Sequence, residues 1–321
     1  MLVAPDAFKG TFDARAVAAA LARGLRRAGW EADSCPVADG GEGTMALLGA
    51  ALGARLVACR ASDPLGRPVD CRFALAGDRA IVEMAQASGL VLVAEHERDP
   101  WAASTRGTGE LILAAVAAGA REILVAVGGS ATTDGGRGAI DAIAAGGGLG
   151  SARLVVLCDV RTPFEDAPRL FAPQKGAGAR LVARLEERLA RMARELPRDP
   201  SGVPATGAAG GLSGGLWAAF DARLRPGAAA VLDALGVDDR MRAARLVVAG
   251  EGCVDEQSFG GKVVGELARR AATAGVPLHV VAGISRLACS EWAARGIERV
   301  WTASTLEEIE AAGHAIGAGR R

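Results

Sequence analysis

Short apolar runs alternate with helix-length amphipathic stretches at both ends of the chain, and this rhythm most limits the folds open to the sequence. Leu2 to Pro5 reads as a strand, followed by a helix from about Phe12 to Ala28 whose apolar stripe is Val17, Leu21 and Leu25. A strand near Ala32 to Val37, a glycine-rich turn, a helix from about Thr44 to Leu52 and a strand from Arg55 to Arg60 follow. That is a β-α-β-α-β series with short connections, the pattern of a parallel sheet. The rhythm returns late, with strand Leu246 to Ala249, helix Lys262 to Ala274, strand Pro277 to Ala282, helix Leu287 to Arg295, strand Arg299 to Ala303 and a final helix.

Between these ends the pattern changes. Cys71 to Leu75 and Arg79 to Met84, joined through Gly77 and Asp78, read as an antiparallel hairpin, which a βαβ array does not contain. Apolar strands follow at Ile123 to Val127 and Leu154 to Leu157, with a regular helix marked by Leu181, Leu185, Leu189, Met192 and Leu196. The expected fold class is α/β: a Rossmann-like parallel-sheet domain built from both chain ends (1–62 and 245–321), with a second α/β domain of mixed sheet (63–244) inserted after the third strand. A cleft between two such domains is the default ligand site. At 321 residues the chain buries roughly 75% of its unfolded surface and needs no disulfide or metal staple. Six cysteines are scattered singly, without a CxxC pair, and read as reduced small hydrophobes.

Charge excludes several function classes. Lysine plus arginine and aspartate plus glutamate each number 37, so no basic field selects nucleic acid or anionic lipid. The uncharged window Ser201 to Phe220 holds six glycines and a proline and reads as a loop entering a short helix, not as a membrane span. The first residues lack the apolar stretch of a signal peptide, so a cytoplasmic location is expected.

Three lysines stand among 34 arginines, and Lys9, Lys175 and Lys262 each sit beside glycine in an expected loop. There a compact ammonium approaches a ligand in a way the arginine fork does not copy. The three histidines lie in no motif. Six glycine-rich segments carry an acid, a lysine or a hydroxyl: APDAFKGT (4–11), VADGGEGT (37–44), VGGSATTDGGRG (127–138), APQKGA (172–177), TGAAGGLSGG (206–215) and AGEGCVDEQSFGGK (249–262). Glycine lets successive amides form an anion nest, and several of these segments run from strand to helix, placing donors at the carboxyl edge of a sheet. A carboxylate in such a nest repels phosphate unless a divalent cation lies between them, which makes Asp39, Glu42, Asp134, Asp159, Glu251 and Asp255 candidates for a Mg²⁺-dependent phosphoryl-transfer site. GKV at 261–263 lacks the hydroxyl of a P-loop, and GEGCVD at 250–255 places Asp255 where a dinucleotide fingerprint needs its third glycine.

These segments, with GTGEL (107–111) and CDVRTPF (158–164), occur in the order found in the bacterial glycerate kinases of the type that generally forms 2-phosphoglycerate. The chain resembles that family from residue 3 to about 285. The resemblance implies ATP-dependent phosphorylation of D-glycerate with Mg²⁺ on a two-domain fold. Carried over to this sequence, it matches motif positions at Lys9, Asp39, Gly40, Gly41, Glu42, Ser130, Asp134, Asp159, Lys175, Glu251, Asp255 and Lys262. On physical grounds Lys9, Asp39, Asp134 and Asp255 are the catalytic candidates, Gly40, Gly41, Glu42, Gly128, Gly129, Ser130, Lys175, Gly210, Gly211 and Lys262 are expected to bind substrate or nucleotide, and Asp159 and Glu251 to hold magnesium.

The expected roles are neutralisation of the triphosphate and the glycerate carboxylate by the lysines, Mg²⁺ held by Asp159 or Glu251, and the attacking hydroxyl oriented or deprotonated by Asp39 or Asp134. The sequence departs from the family pattern at Thr133 and Thr162, where asparagine is usual, and it is shorter between Gly138 and Leu154 and between Phe164 and Phe171. A kinase for another small hydroxy acid, or an inactive nucleotide or sugar-acid binder, therefore stays open, as does assembly into a homo-oligomer.

Overall fold

A computed structural model of the chain describes residues 1–8 and 10–320. Among them the strands are β1 (Leu2–Pro5), β2 (Asp33–Ser34), β3 (Arg55–Ser62), β4 (Pro68–Ala76), β5 (Arg79–Glu83), β6 (Glu122–Ala126), β7 (Arg153–Cys158), β8 (Arg223–Pro226), β9 (Val247–Val254), β10 (Leu278–Ser285) and β11 (Arg299–Thr302). The chain divides into two compact units, Met1–Asp39 with Ala228–Arg321, and Gly40–Gly227.

The first unit is a parallel sheet in the order β11-β10-β9-β1-β2. Its three central strands, β1, β9 and β10, are apolar on both faces because both faces are covered. Leu2, Ala4, Val247, Ala249 and Val280 pack with Val264, Leu267 and Ala271 of the helix Val263–Ala274. Val3, Val248 and Val281 point the other way, onto the helices Ala14–Arg27 and Leu306–Ala318. The first of these helices starts where the Asp13 side chain accepts the Ala16 amide at 2.8 Å and ends on Arg26 and Arg27, which offset the helix dipole. Beyond the two residues of β2 the run still pairs with β1, through Cys35 N to Val3 O at 2.8 Å and Val37 N to Pro5 O at 3.0 Å.

The second unit is a six-stranded mixed sheet in the order β3-β4-β5-β6-β7-β8. The hairpin expected at Gly77 and Asp78 is present as β4 and β5, and β5 through β8 are parallel. The expected third strand of the first sheet is instead β3, which pairs antiparallel with β4 from Arg55 opposite Leu75 to Ser62 opposite Pro68. Its burial alternates: Leu56, Ala58 and Arg60 are exposed while Val57, Cys59 and Ala61 face the core. A half-solvated antiparallel strand alternates in this way, and a doubly covered parallel strand does not. The second unit therefore begins at Gly40 rather than at residue 63. It ends at Gly227 rather than 244, because Ala228, Leu232, Val237 and Met241 belong to the core of the first sheet.

The uncharged window contains a 3₁₀ turn, Ala208–Gly211, and the helix Leu212–Phe220. No helix among the described residues is long and apolar enough to cross a membrane. All six cysteines are free thiols; Cys35, Cys71 and Cys158 are buried, Cys59 and Cys253 half-buried, and Cys289 exposed.

Candidate active site

In the first unit the chain leaves β1 toward β2 and later returns to the opposite side at β9, so the strand order reverses between β1 and β9. Open α/β sheets bind ligands outside the carboxyl ends of their strands at such a reversal. Here β1 leads into Asp6, Ala7 and Phe8, β9 carries Glu251, Gly252 and Cys253, and β10 carries Gly283 and Ile284 just before its end. Together with Thr11, Lys262 and Ser304 these residues line a pocket of about 400 Å³. Hollows of about 790 and 810 Å³, one beside Arg55 and Gly77 and one beside Trp30 and Arg240, hold none of the candidate residues, so size does not locate the site.

Among the described residues the pocket is lined by two acids and one cation. Asp6 and Glu251 are only 5% and 9% exposed. Lys262 Nζ lies 3.5 Å from Glu251 Oε1, and Lys262 is also the residue from which the helix Val263–Ala274 departs. Its side chain makes no capping bond, so the partial positive charge of the helix start adds to the ammonium at one spot. Asp255 is not among the residues that line this pocket. Its carboxylate accepts the Gln257 amide at 2.9 Å and its own amide donates to Ser258 Oγ at 3.2 Å, a capping box that shapes the turn leading to Lys262. Lys9 lies outside the described residues.

The second unit gathers the other expected residues at the carboxyl ends of β5, β6 and β7. Gly128 follows β6 and sits against the VADGGEGT segment: a Cβ on it would fall 2.5 Å from the α-carbon of Gly41. Gly40, at φ +93°, leaves no room either, its Cβ falling 2.8 Å from the α-carbon of Gly227. Glycine is required at both positions because backbone meets backbone. Gly129 (φ +73°) and the half-buried Ser130 complete the turn, Asp159 follows β7 half-buried, Glu42 is exposed, and Asp39, the last residue of the first unit, is buried.

Helix starts in this unit, where a ligand anion was expected, hold carboxylates of the protein itself. Glu83, at the end of β5, accepts the Met45 amide at 2.7 Å at the start of the helix Thr44–Ala51. Burial, reinforced by the charge of Glu42, pushes its carboxyl above the usual range, against the pull of the helix amides. Asp134 accepts Thr105 N at 2.9 Å, Thr105 Oγ1 at 2.8 Å, and the amides of Gly136 and Gly138 at 3.1 Å each. Thr105 and Gly136 are the residues before the helices Arg106–Ala117 and Arg137–Ala145, so one buried carboxylate braces two helix starts.

These four bonds give Asp134 a structural task beside the catalytic one expected of it. Asp134→Ala strands several buried donors and is expected to lower the unfolding free energy by at least about 3 kcal/mol, read by urea denaturation. An Asp134→Asn protein of unchanged stability that had lost all turnover would identify it as a base, and full turnover would leave it the structural task alone.

Gly210 and Gly211 sit where packing leaves no room for a side chain. A Cβ on Gly210 would meet Thr132 O at 2.1 Å, one on Gly211 would meet the Phe164 ring at 2.7 Å, and Gly210 O accepts Gly135 N at 3.0 Å. Lys175 is buried beneath the 128–134 loop rather than facing solvent. Thr133, where the family pattern has asparagine, buries a hydroxyl without a hydrogen-bond partner. The two expected magnesium ligands fall in different units, Asp159 in the second and Glu251 in the first. No group of three or more His, Cys, Asp or Glu side chains among the described residues is placed to hold a metal ion. Asp6 and Glu83 were not singled out from the sequence, although Asp6 lies inside APDAFKGT and Glu83 is the lone acid closing an apolar run.

Comparison with known proteins agrees with the motif order. The model of the glycerate kinase family matches residues 1–147 and 143–316. The glycerate kinase of Halalkalibacterium halodurans is 36% identical over 322 residues, covering 88% of this chain and 85% of the relative. The glycerate 2-kinase of Escherichia coli K12 is 37% identical over 303 residues, covering 82% and 79%. Among solved structures, a Salmonella typhimurium LT2 protein described as a glycerate kinase 2 superposes with a TM-score of 0.84 at 33% identity, over 99% of this chain and 97% of that one.

Proposed function

Because the chain belongs to the glycerate kinase family, we propose that it transfers the terminal phosphoryl group of ATP to D-glycerate with Mg²⁺, forming 2-phospho-D-glycerate. The observation that carries this reading is the pocket at the strand-order reversal, where Lys262, a helix start and two buried carboxylates meet within about 400 Å³.

The donors fit magnesium. Asp6, Glu251, Thr11 and Ser304 offer oxygen, the ligand atom Mg²⁺ prefers, and two carboxylates beside phosphate oxygens are its usual holding set. Bound there, Mg²⁺ neutralises charge on the phosphates during transfer. Of the two expected ligands, Glu251 is preferred to Asp159 because it shares this pocket with Lys262 and Asp6. Lys262 neutralises the phosphate charge that develops on transfer, aided by the amides that open the helix Val263–Ala274. Asp39 or Asp134 orients or deprotonates the attacking hydroxyl, Asp134 while also bracing two helix starts.

The test is ³¹P NMR of the mixture formed from D-glycerate, ATP and Mg²⁺. The expected result is ADP with the phosphoester of the 2-hydroxyl. A 3-phosphoglycerate signal overturns the position of transfer, and binding of both substrates in calorimetry without any phosphoester overturns the kinase reading.

A further inference from the structure

Lys175 is one of three lysines kept among 34 arginines, and its ammonium is spent inside the protein. It ends the 3₁₀ turn Pro173–Lys175, and Gly176 at φ +101° then turns the chain against Arg98, which leaves 3.3 Å to a Cβ at that position. The lysine is 1% exposed. Its Nζ donates to Ser130 Oγ at 2.8 Å and to Thr132 O at 2.5 Å, and the charge facing it is Asp134 of the same loop. Backbone pairing holds the other side of that loop: Leu90 N donates to Gly129 O at 2.8 Å and Ala131 N to Ser88 O at 3.0 Å. The loop then backs onto the VADGGEGT segment where Gly128 meets Gly41.

We infer that Lys175 is a positioning residue of the reaction proposed above: it fixes the 128–134 loop, and through Gly128 the Gly40–Glu42 segment, without touching nucleotide or acceptor. The side chain suits this task. A compact ammonium satisfies a hydroxyl and a carbonyl on two different residues, whereas the planar arginine fork is wider and a hydrophobe leaves both acceptors unpaired. Burying an ammonium is unfavourable, and a position that needed only filling would be served better by an apolar chain. What the lysine supplies is placement of the loop.

The kinetic part of this inference rests on the proposed function, and the structural part does not, so one variant is read in two ways. In Lys175→Met of the full chain, amide exchange across 128–134, followed by mass spectrometry, is expected to quicken at least about tenfold while β1 and β9 exchange as before. In turnover assays kcat is expected to fall about 100-fold with KM for ATP and for glycerate within about threefold, the signature of misplaced groups rather than a lost binding contact. A rise of about tenfold or more in either KM with unchanged loop exchange makes Lys175 a ligand-contacting residue and overturns the inference. Unchanged loop exchange alone also overturns it, even if the protein phosphorylates no glycerate. Should the methionine variant fail to fold, Ser130→Ala removes one of the two bonds, and its loop exchange decides in the same direction.

Discussion

Lys262→Ala is expected to fold normally and to lose about 10²- to 10³-fold in kcat, the usual loss when one preorganised donor is removed from a transition-state charge. The side chain is partly exposed and its ammonium rests 3.5 Å from Glu251, so truncation opens no core cavity. What it removes is the mobile charge of a spot where the helix start and two buried carboxylates remain. Lys262→Arg is expected to recover only part of the rate, because the guanidinium presents a fixed fork where a point charge is needed. Steady-state kinetics against ATP, with the melting temperature as a control for folding, provides the measurement. A rate within about threefold of the parent at unchanged stability would remove Lys262 from the phosphate-handling set.

The sequence made Lys262 legible because its chemistry is local: a lysine between glycines and a helix start, following a strand, is already most of the pocket. Strands of the first sheet were legible for a related reason, since doubly covered parallel strands must be apolar on consecutive residues. What was not legible depended on partners distant in the chain. Glycine marks close approach without naming what approaches. Gly210 meets the backbone of Thr132 and Gly128 that of Gly41, and neither contact differs in sequence from a loop that cradles phosphate. An acid in a glycine-rich turn is equally ambiguous. Asp134 ended up bracing a helix that starts 28 residues before it, as its bond to the backbone of Arg106's neighbour Thr105 shows, and Glu83 caps a helix start 38 residues away. The β3 strand misled for a third reason: over a few residues a half-buried alternating run and a buried continuous one look alike, and only the partner strand distinguishes them.

Lys175 also makes a thermodynamic prediction that needs no substrate. Burial lowers its pKa from 10.5 to about 7, with Asp134 pulling the other way. Below pH 7 the lysine is charged both folded and unfolded, so the penalty of burying it is constant. Between pH 7 and 10.5 the unfolded chain still binds the proton that the folded protein has released, so stability rises with pH through this window. The slope approaches about 1.4 kcal/mol per pH unit, which amounts to about 4 kcal/mol by pH 10. Other groups titrate in the same range. The buried thiols of Cys71 and Cys158, pushed up to about 11 and about 12, make stability fall as pH rises through the range where unfolded cysteines ionise. The decisive quantity is therefore the difference in unfolding free energy between the parent and Lys175→Met, in which the thiol contributions cancel. Urea unfolding at pH 6, 7, 8 and 9 is expected to show that difference flat up to about pH 7 and then climbing in favour of the parent. Parallel curves across the whole range would mean that Lys175 keeps an ordinary lysine pKa, which a side chain sealed beneath the 128–134 loop does not.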